Sequence, residues 1–297
     1  MNPCQFGKRR KTWPGLTILF FSMMHKIIVT GSFDNLRSRQ VRFLEEASHL
    51  GEVHVLLYSD MLEQALSGCP PKFPQAEREY FVGAIRYVSG TSVIEGSSFG
   101  DVIAQVKTQQ PTAWALDEPG AAVVKERCGE PCGIKLSVIK EGQLEGFPEV
   151  GINGALGEPA VRKKVIVSGC YDWLHSGHVR FFEEVSALGD LYVVVGNDEN
   201  VRFLKGAGHP LFNQDERRYM VQAIRYVRQA LISTGWDWLD YAPQVDLVQP
   251  DLFAVNEDGD RAEKRQLCRE KGIEYVVLKR KPKEGLPRRE STKLRGF

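Results

Sequence analysis

The sequence predicts an α/β protein made of two tandem domains, each a parallel sheet flanked by helices. Two observations carry that prediction. The chain contains one stretch twice: 16 of the 30 positions from Lys26 to Val55 are identical, without a gap, to those from Lys164 to Val193, at an offset of 164 − 26 = 138. The match resumes where Phe73 to Arg78 parallels Phe212 to Arg217, and where Ala84 to Val88 reappears as Ala223 to Val227. A repeat of that length is two copies of one domain rather than a short-period solenoid. Within each copy, short runs rich in β-branched residues alternate with helical periodicity, the pattern of a parallel sheet with right-handed crossovers.

Taken in order, residues 1–24 read as a tail or an extended start. Their basic run, Lys8 to Lys11, and apolar run, Leu16 to Phe21, imitate a signal peptide. The apolar run falls far short of the roughly 20 residues that a spanning helix needs. Residues 25–140 form the first copy. The stretch 141–160 contains Gly and Pro, has weak periodicity and reads as the linker. Residues 161–297 form the second copy, with strands expected at Lys164–Ser168, Leu191–Gly196, Gln229–Ser233, Leu252–Val255 and Tyr275–Leu278.

Chemistry concentrates between Lys164 and Leu188. A buried strand runs into a turn at Gly169, then a loop bearing His175-Ser176-Gly177-His178. An amphipathic helix follows, with Val179, Phe182, Val185 and Leu188 along one face. A strand, a glycine turn and a helix N-terminus in succession make an anion site, because free N–H groups and the helix dipole point at whatever sits there. His175 and His178, three apart, project to one side, and Gly177 lets a phosphate approach the backbone. Gly169, Tyr171, Asp172, Leu174, His175, Gly177 and His178 together resemble the G-x-[FY]-D-x-L-H-x-G-H signature of the cytidylyltransferase-like nucleotidyltransferases. The resemblance implies Rossmann-like (HUP-type) domains and transfer of a nucleoside monophosphate to a small phosphorylated alcohol or sugar, with release of pyrophosphate. CMP from CTP is the leading reading. An adenylyltransferase using ATP is the close rival, since Leu204-Lys205-Gly206 followed by His209-Pro210 is similar to a loop of the ADP-heptose-forming branch. A non-catalytic nucleotide-binding scaffold is the reading from another class.

The same resemblance assigns further residues. Lys205 takes the part of a mobile point charge over the triphosphate. Arg217 and Arg225, at the two ends of a helix expected from Glu216 to Val227, match arginines that reach the nucleotide. The first copy keeps both as Arg78 and Arg86, so at least one is expected to tie the domains together instead. Asn256, Glu257 and Asp258 follow the fourth strand, where similar enzymes hold the nucleoside. Arg288, Arg289, Ser291 and Thr292 are similar to an R-T-E-G-I-S-T-T segment that takes the β- and γ-phosphates. In the first copy Arg37, Arg39 and Gln40 stand where the second has His175, Gly177 and His178. That copy is therefore expected to be catalytically silent and to dock on the second like the other half of a dimer. This leaves room for a further oligomer. A separate anion-binding regulatory site at Arg37 and Arg39 is the alternative.

Composition narrows the partners. Hydrophobic residues make up 42% and charged residues 26%, ordinary for a globular protein, and a net charge of +1 gives no field that calls for nucleic acid or a membrane. Of six cysteines, Cys128 and Cys132 are the closest pair and no second pair completes a zinc set. Free thiols point to a reducing cytoplasm; the resemblance implies Mg²⁺ arriving on the triphosphate, with no protein-bound metal. Neither first turn has G-x-G-x-x-G, which argues against a dinucleotide-dependent oxidoreductase. A phosphate monoester, with its second pKa at about 6, is already an ionised nucleophile and needs no general base. What it needs is alignment and neutralisation of charge. His175, His178, Lys205, the C-terminal arginines and Mg²⁺ are expected to supply both.

Overall fold

The computed structural model describes residues 25–128, 133–149 and 162–294. The expected tail, residues 150–160 of the expected linker and residue 161 lie outside the described residues. The first copy runs β1 (Lys26–Gly31), α1 (Ser38–Ser48), β2 (Glu52–Tyr58), α2 (Asp60–Ser67), α3 (Gln75–Gly83), β3 (Val88–Ile94), α4 (Phe99–Thr108), β4 (Ala113–Asp117), α5 (Glu118–Cys128) and β5 (Leu136–Ile139). The second runs β6 (Lys164–Gly169), α6 (Ser176–Ser186), β7 (Asp190–Val195), α7 (Asp198–Lys205), α8 (Gln214–Gln222), β8 (Val227–Ile232), α9 (Ala242–Val248), β9 (Leu252–Asn256), α10 (Ala262–Lys271) and β10 (Glu274–Leu278). The five strands expected in the second copy are all present, within two residues at each end.

Every strand pairing is parallel, in the order β3-β2-β1-β4-β5 and, identically, β8-β7-β6-β9-β10. The strand order reverses between β1 and β4, and again between β6 and β9, which opens a crevice at the carboxyl ends of those strands. Alternation along the central strands explains how both faces are covered. Ile27 and Val29 enter one core cluster and Ile28 another; Val165 and Val167 repeat the pattern against Ile166. Strands buried on both sides read as continuous apolar runs, as these do.

One core cluster is shared by the two copies, joining Val41, Leu44 and Val82 to Val179, Phe182 and Val221. Across this seam the polar contacts come in exchanged pairs. Ser38 Oγ donates to Glu216 at 2.6 Å, and Ser176 Oγ to Glu77 at 2.6 Å. Tyr80 donates to Glu183 at 2.8 Å, and Tyr219 to Glu45 at 2.7 Å. Arg86 donates to the Ile224 and Val227 carbonyls, and Arg225 to those of Ile85 and Val88. Ile85 and Ile224 close the set with an antiparallel bridge. Contacts that return with the copies exchanged have the self-complementary form of a two-fold interface.

Three expectations change. α8 ends at Gln222, not near Val227, because the following turn leaves the helix to reach the seam, with Arg225 N–H donating to Ala84 O at 2.9 Å. Leu188 lies beyond α6 and is exposed, whereas Val179, Phe182 and Val185 are fully buried. The described start of the expected linker is packed rather than loose. A short 3₁₀ turn spans Glu141–Gln143, Leu144 is buried, and Arg42 and Arg218 bond the carbonyls of Gln143 and Phe147. Among the described residues no helix is long and apolar enough to cross a membrane.

Candidate functional site

A cleft of about 360 Å³ opens at the carboxyl ends of β6 and β9. Its floor is Ser168 to Asp172 and Ala254 to Asn256; His175, Gly177, His178 and Phe181 come from the start of α6. Lys205, Lys264, Arg280, Asp258, Glu290 and Ser291 complete the wall.

The two histidines are held as a stacked pair, ring centroids 3.9 Å apart, with Tyr171 edge-on to His178 at 5.3 Å. His175 is the N-cap of α6, and its Nδ1 accepts the Gly177 N–H at 3.1 Å. That bond places the ring proton on Nε2, a buried atom with no partner among the described residues. His178 Nδ1 is likewise buried without one. Burial first, then the nearby Arg280 and Arg289 guanidinium groups, brings the His175 pKa from 6.5 down to about 3. Burial, His175, Arg280 and Lys205 hold His178 well below the ordinary imidazole value. Both imidazoles are therefore neutral at neutral pH and act through N–H donation; the positive charge comes from Lys205, Lys264 and Arg280.

The geometry also revises the reason for Gly177. A Cβ there would lie 2.9 Å from His175 Cε1 and 3.0 Å from Nδ1. The glycine makes room for the folded-back imidazole, which occupies the helix N–H that the sequence reading had offered to a phosphate. Gly169 has the same relation to Tyr171, whose ring would sit 2.8 Å from an added Cβ. Tyr171 itself has a left-handed backbone, φ 53°, as does Phe33 at the same place in the first copy, φ 50°.

Several residues expected to touch nucleotide are built into the frame. The Asp172 carboxylate is buried and accepts the N–H groups of Leu211 and Phe212, pinning the loop before α8. Arg217 is buried and donates to the carbonyls of Phe212, Cys170 and Gly196 and to Asp198. Arg225 belongs to the seam. Glu257 is exposed and outside the cleft wall, while Asn256 and Asp258 line it, Asp258 paired with Arg280. Lys205 is the last residue of α7 rather than a loop residue, exposed at the cleft mouth. Arg288 is exposed and pairs with Glu290 at 3.8 Å; Arg289 is turned to Glu77, and Ser291 lines the cleft while donating to Trp173 O at 3.2 Å. The side chain of Thr292 lies outside the described residues.

Two cleft residues escaped the sequence reading. Lys264, on the first turn of α10, is mostly buried, and burial lowers its pKa. It lies 5.6 Å and 5.7 Å from the Tyr241 and Phe253 ring centres. Arg280 is the second residue of the charged run that follows β10 and is hidden by it. The position of both just past the carboxyl ends of sheet strands or on the following helix is the signal that could have found them. Among the described residues no group of three His, Cys, Asp or Glu side chains converges as a metal ion would require.

In the first copy an equivalent cleft of about 430 Å³ is lined by Phe33, Phe43, Tyr58, Phe99 and Trp114, with Glu63, Asp117 and Arg39. Arg37 and Arg39, only the second of which lines this cleft, are both already engaged. Arg39 pairs with Asp117 and Glu141, and Arg37 caps α1 while lying 3.5 Å over the Trp173 ring of the second copy. Burial takes the Arg37 pKa down to about 10, against the opposing pull of Glu216. Neither arginine is free to form the separate anion site considered from the sequence.

Comparison with known proteins agrees with the second copy's geometry. The family model described as cytidylyltransferase-like matches residues 166–296. The FAD synthase of Ferroglobus placidus is 34% identical over 125 residues, covering 41% of this chain and 78% of that protein. The bifunctional protein HldE of Shewanella sediminis is 30% identical over 162 residues, covering 50% of this chain and 33% of that one. Among solved structures, the lipopolysaccharide core biosynthesis protein from Thermoplasma volcanium is 26% identical over 41% of this chain and 98% of its own, with a TM-score of 0.35. With so much of the Ferroglobus protein covered at that identity, this chain belongs to the cytidylyltransferase-like family of nucleotidyltransferases.

Proposed function

We propose that the second copy transfers a nucleoside monophosphate from a nucleoside triphosphate to a small phosphorylated acceptor, releasing pyrophosphate. The observation that carries this reading is the unpartnered Nε2–H of neutral His175, locked in its tautomer by Gly177 and set beside Lys205 and Arg280. A buried donor without a partner costs roughly 1–3 kcal/mol, and a phosphate oxygen accepting from it removes that cost. The acceptor phosphate attacks the α-phosphate in line with the departing pyrophosphate. The imidazoles donate to the developing charge, while Lys205, Lys264 and Arg280 neutralise the chain of phosphates. Mg²⁺ accompanies the triphosphate as its counterion.

Adenylyl transfer from ATP is the donor reading that the relatives favour, since a FAD synthase by its name builds a product containing an adenylyl group. CMP transfer from CTP stands beside it on the description of the family model. The first copy we read as catalytically silent, retained as the fixed other half of a dimer-like body. Pyrophosphate release measured with ATP, CTP, GTP and UTP, against a set of phosphate monoesters that includes flavin mononucleotide, tests the proposal. One triphosphate–acceptor pair should turn over. Triphosphate binding without pyrophosphate release from any pair would make the protein a nucleotide-binding scaffold instead.

A further inference from the structure

The silent copy also reaches into the site. Resting on the transfer reading above, we infer that Glu77 of the first copy is a positioning residue for the second copy's cleft, which it serves by clamping the C-terminal strap, residues 279–294, through Arg289.

Glu77 is 2% exposed on α3. Its carboxylate accepts Arg289 Nε at 3.0 and 3.1 Å and Nη2 at 2.6 Å, a forked pair, together with the Ser176 hydroxyl at 2.6 Å. One buried carboxylate thus joins two walls of the cleft. Ser176 is the first residue of α6, between His175 and Gly177. Arg289 belongs to the strap, and its carbonyl accepts from Arg280 Nη2 at 3.0 Å, so fixing Arg289 also fixes a cation of the cleft. Glu290 and Ser291, the next two residues, line the cleft themselves.

Other holds bind the strap to both copies: Lys283 pairs with Glu183 at 2.7 Å, Arg280 with Asp258, and Ser291 donates to Trp173 O, all on the second copy, while further contacts reach the first. The Arg289 guanidinium stands 5.1 Å from the Phe73 ring centre, Lys283 Nζ is 5.4 Å from that of Tyr80, and Leu294 is buried against Phe73 and Trp173. The chemistry explains why Glu77 matters most among them. A forked Arg–carboxylate pair fixes orientation as well as distance, and a buried charge that loses its partner is strongly destabilised where it stands. Without the clamp, Arg289 swings toward water and takes the strap with it. The seam provides its own control. Glu216, the exchanged counterpart of Glu77, holds Ser38 at the start of α1, beside a cleft that has no imidazoles.

The experiment compares Glu77→Gln with Glu216→Gln by two readouts. One is the rate at which trypsin cuts the strap at Lys279–Lys283 and Arg288–Arg289, followed by mass spectrometry. The other is the KM for the triphosphate against kcat. In Glu77→Gln the strap should be cut about tenfold faster and KM should rise roughly tenfold to a hundredfold, with kcat less affected, as misplacement of a positioning group implies. Glu77→Asp should recover part of both. Glu216→Gln should leave both at wild-type values. Arg289→Lys, which keeps the charge but loses the fork, should reproduce the loss, and replaces Glu77→Gln should that variant not fold. Wild-type cleavage and KM in Glu77→Gln would overturn the inference, as would equal effects from Glu216→Gln. The cutting readout needs no turnover: a strap freed by Glu77→Gln in a chain that releases no pyrophosphate supports the clamp and overturns the transfer reading alone.

Discussion

Two clefts of similar size sit at equivalent places in the two copies, and only the second has paired imidazoles with Lys205, Lys264 and Arg280 in its wall. What the copies share is frame. Asp34 accepts the N–H groups of Lys72 and Phe73 just as Asp172 accepts those of Leu211 and Phe212. Arg78 donates to the carbonyls of Phe73, Ser32 and Tyr58 as Arg217 does to those of Phe212, Cys170 and Gly196. What they do not share is the stacked imidazole pair, Gly177, and the cations Lys205 and Arg280. A residue that survives in a copy without the site serves the fold. This internal comparison gives Asp172, Arg217 and Arg225 a structural part, and of the three only Asp172 also lines the cleft.

The largest effect should come from the pair itself. His178→Ala should lower nucleotidyl transfer by roughly 10²–10³, as removal of one donor to developing charge does, with the melting temperature and sheet signature retained. Gln40→Ala, at the matching place in the first copy, should leave turnover unchanged. Near-normal pyrophosphate release by His178→Ala would erase the distinction between the copies.

Gly177→Ala sharpens the same comparison. The added methyl group meets the His175 ring, and the first copy tolerates Arg39 at this place because Arg37 points to Trp173 instead of folding back. Displacing His175 by about 1 Å should cost up to about 100-fold in turnover. A Gly177→Ala enzyme with wild-type kcat would mean that the ring's folded-back position has no part in the chemistry.

Much of this was legible in the chain. The repeat gave the two domains, and alternation at Ile27, Ile28 and Val29 placed the central strand between two covered faces. The signature from Gly169 to His178 marked the cleft, because local spacing fixes a strand, a turn and a helix start. Side-chain direction beyond the first turn was not legible. Arg217 and Arg225 share a helix pattern with arginines that reach phosphate, yet one turns to backbone carbonyls and the other to the seam, a choice made by tertiary neighbours far along the sequence. Arg280 lay inside the run Lys279 to Lys283, where charge alone cannot say which member faces the cleft. Glu77 was invisible for the same reason: its partner Arg289 is 212 residues away.

Acid should act on one copy more than on the other. His175 titrates near pH 3 when folded and at 6.5 when free, so between those values the unfolded chain binds the extra proton. Stability therefore falls as pH drops through 6.5, by about 2 kcal/mol at pH 5 for this imidazole alone. His175→Gln should lose correspondingly less stability between pH 7.5 and pH 5 than the wild type in urea titrations. An identical acid loss in both proteins would place His175 outside the buried, neutral state. Arg37, in the matching position, stays charged across this range.

The smallest effect belongs to the first copy. Arg39 replaces the close-approach glycine and is spent on Asp117 at 3.1 Å and on Glu141, with 44% of its side chain exposed. Exposed ion pairs contribute at most about 1 kcal/mol, and less as salt is raised. Arg39→Ala should thus shift unfolding by no more than that, with a shift that shrinks at high ionic strength, and should leave kcat and KM at wild-type values. The contrast with Gly177, its counterpart 138 positions later, lies in what each side chain meets: an imidazole with an unused donor in one copy, two surface carboxylates in the other. A large fall in turnover on Arg39→Ala, at unchanged stability, would show that the first cleft also handles substrate, and the division of labour between the copies would have to be redrawn around it.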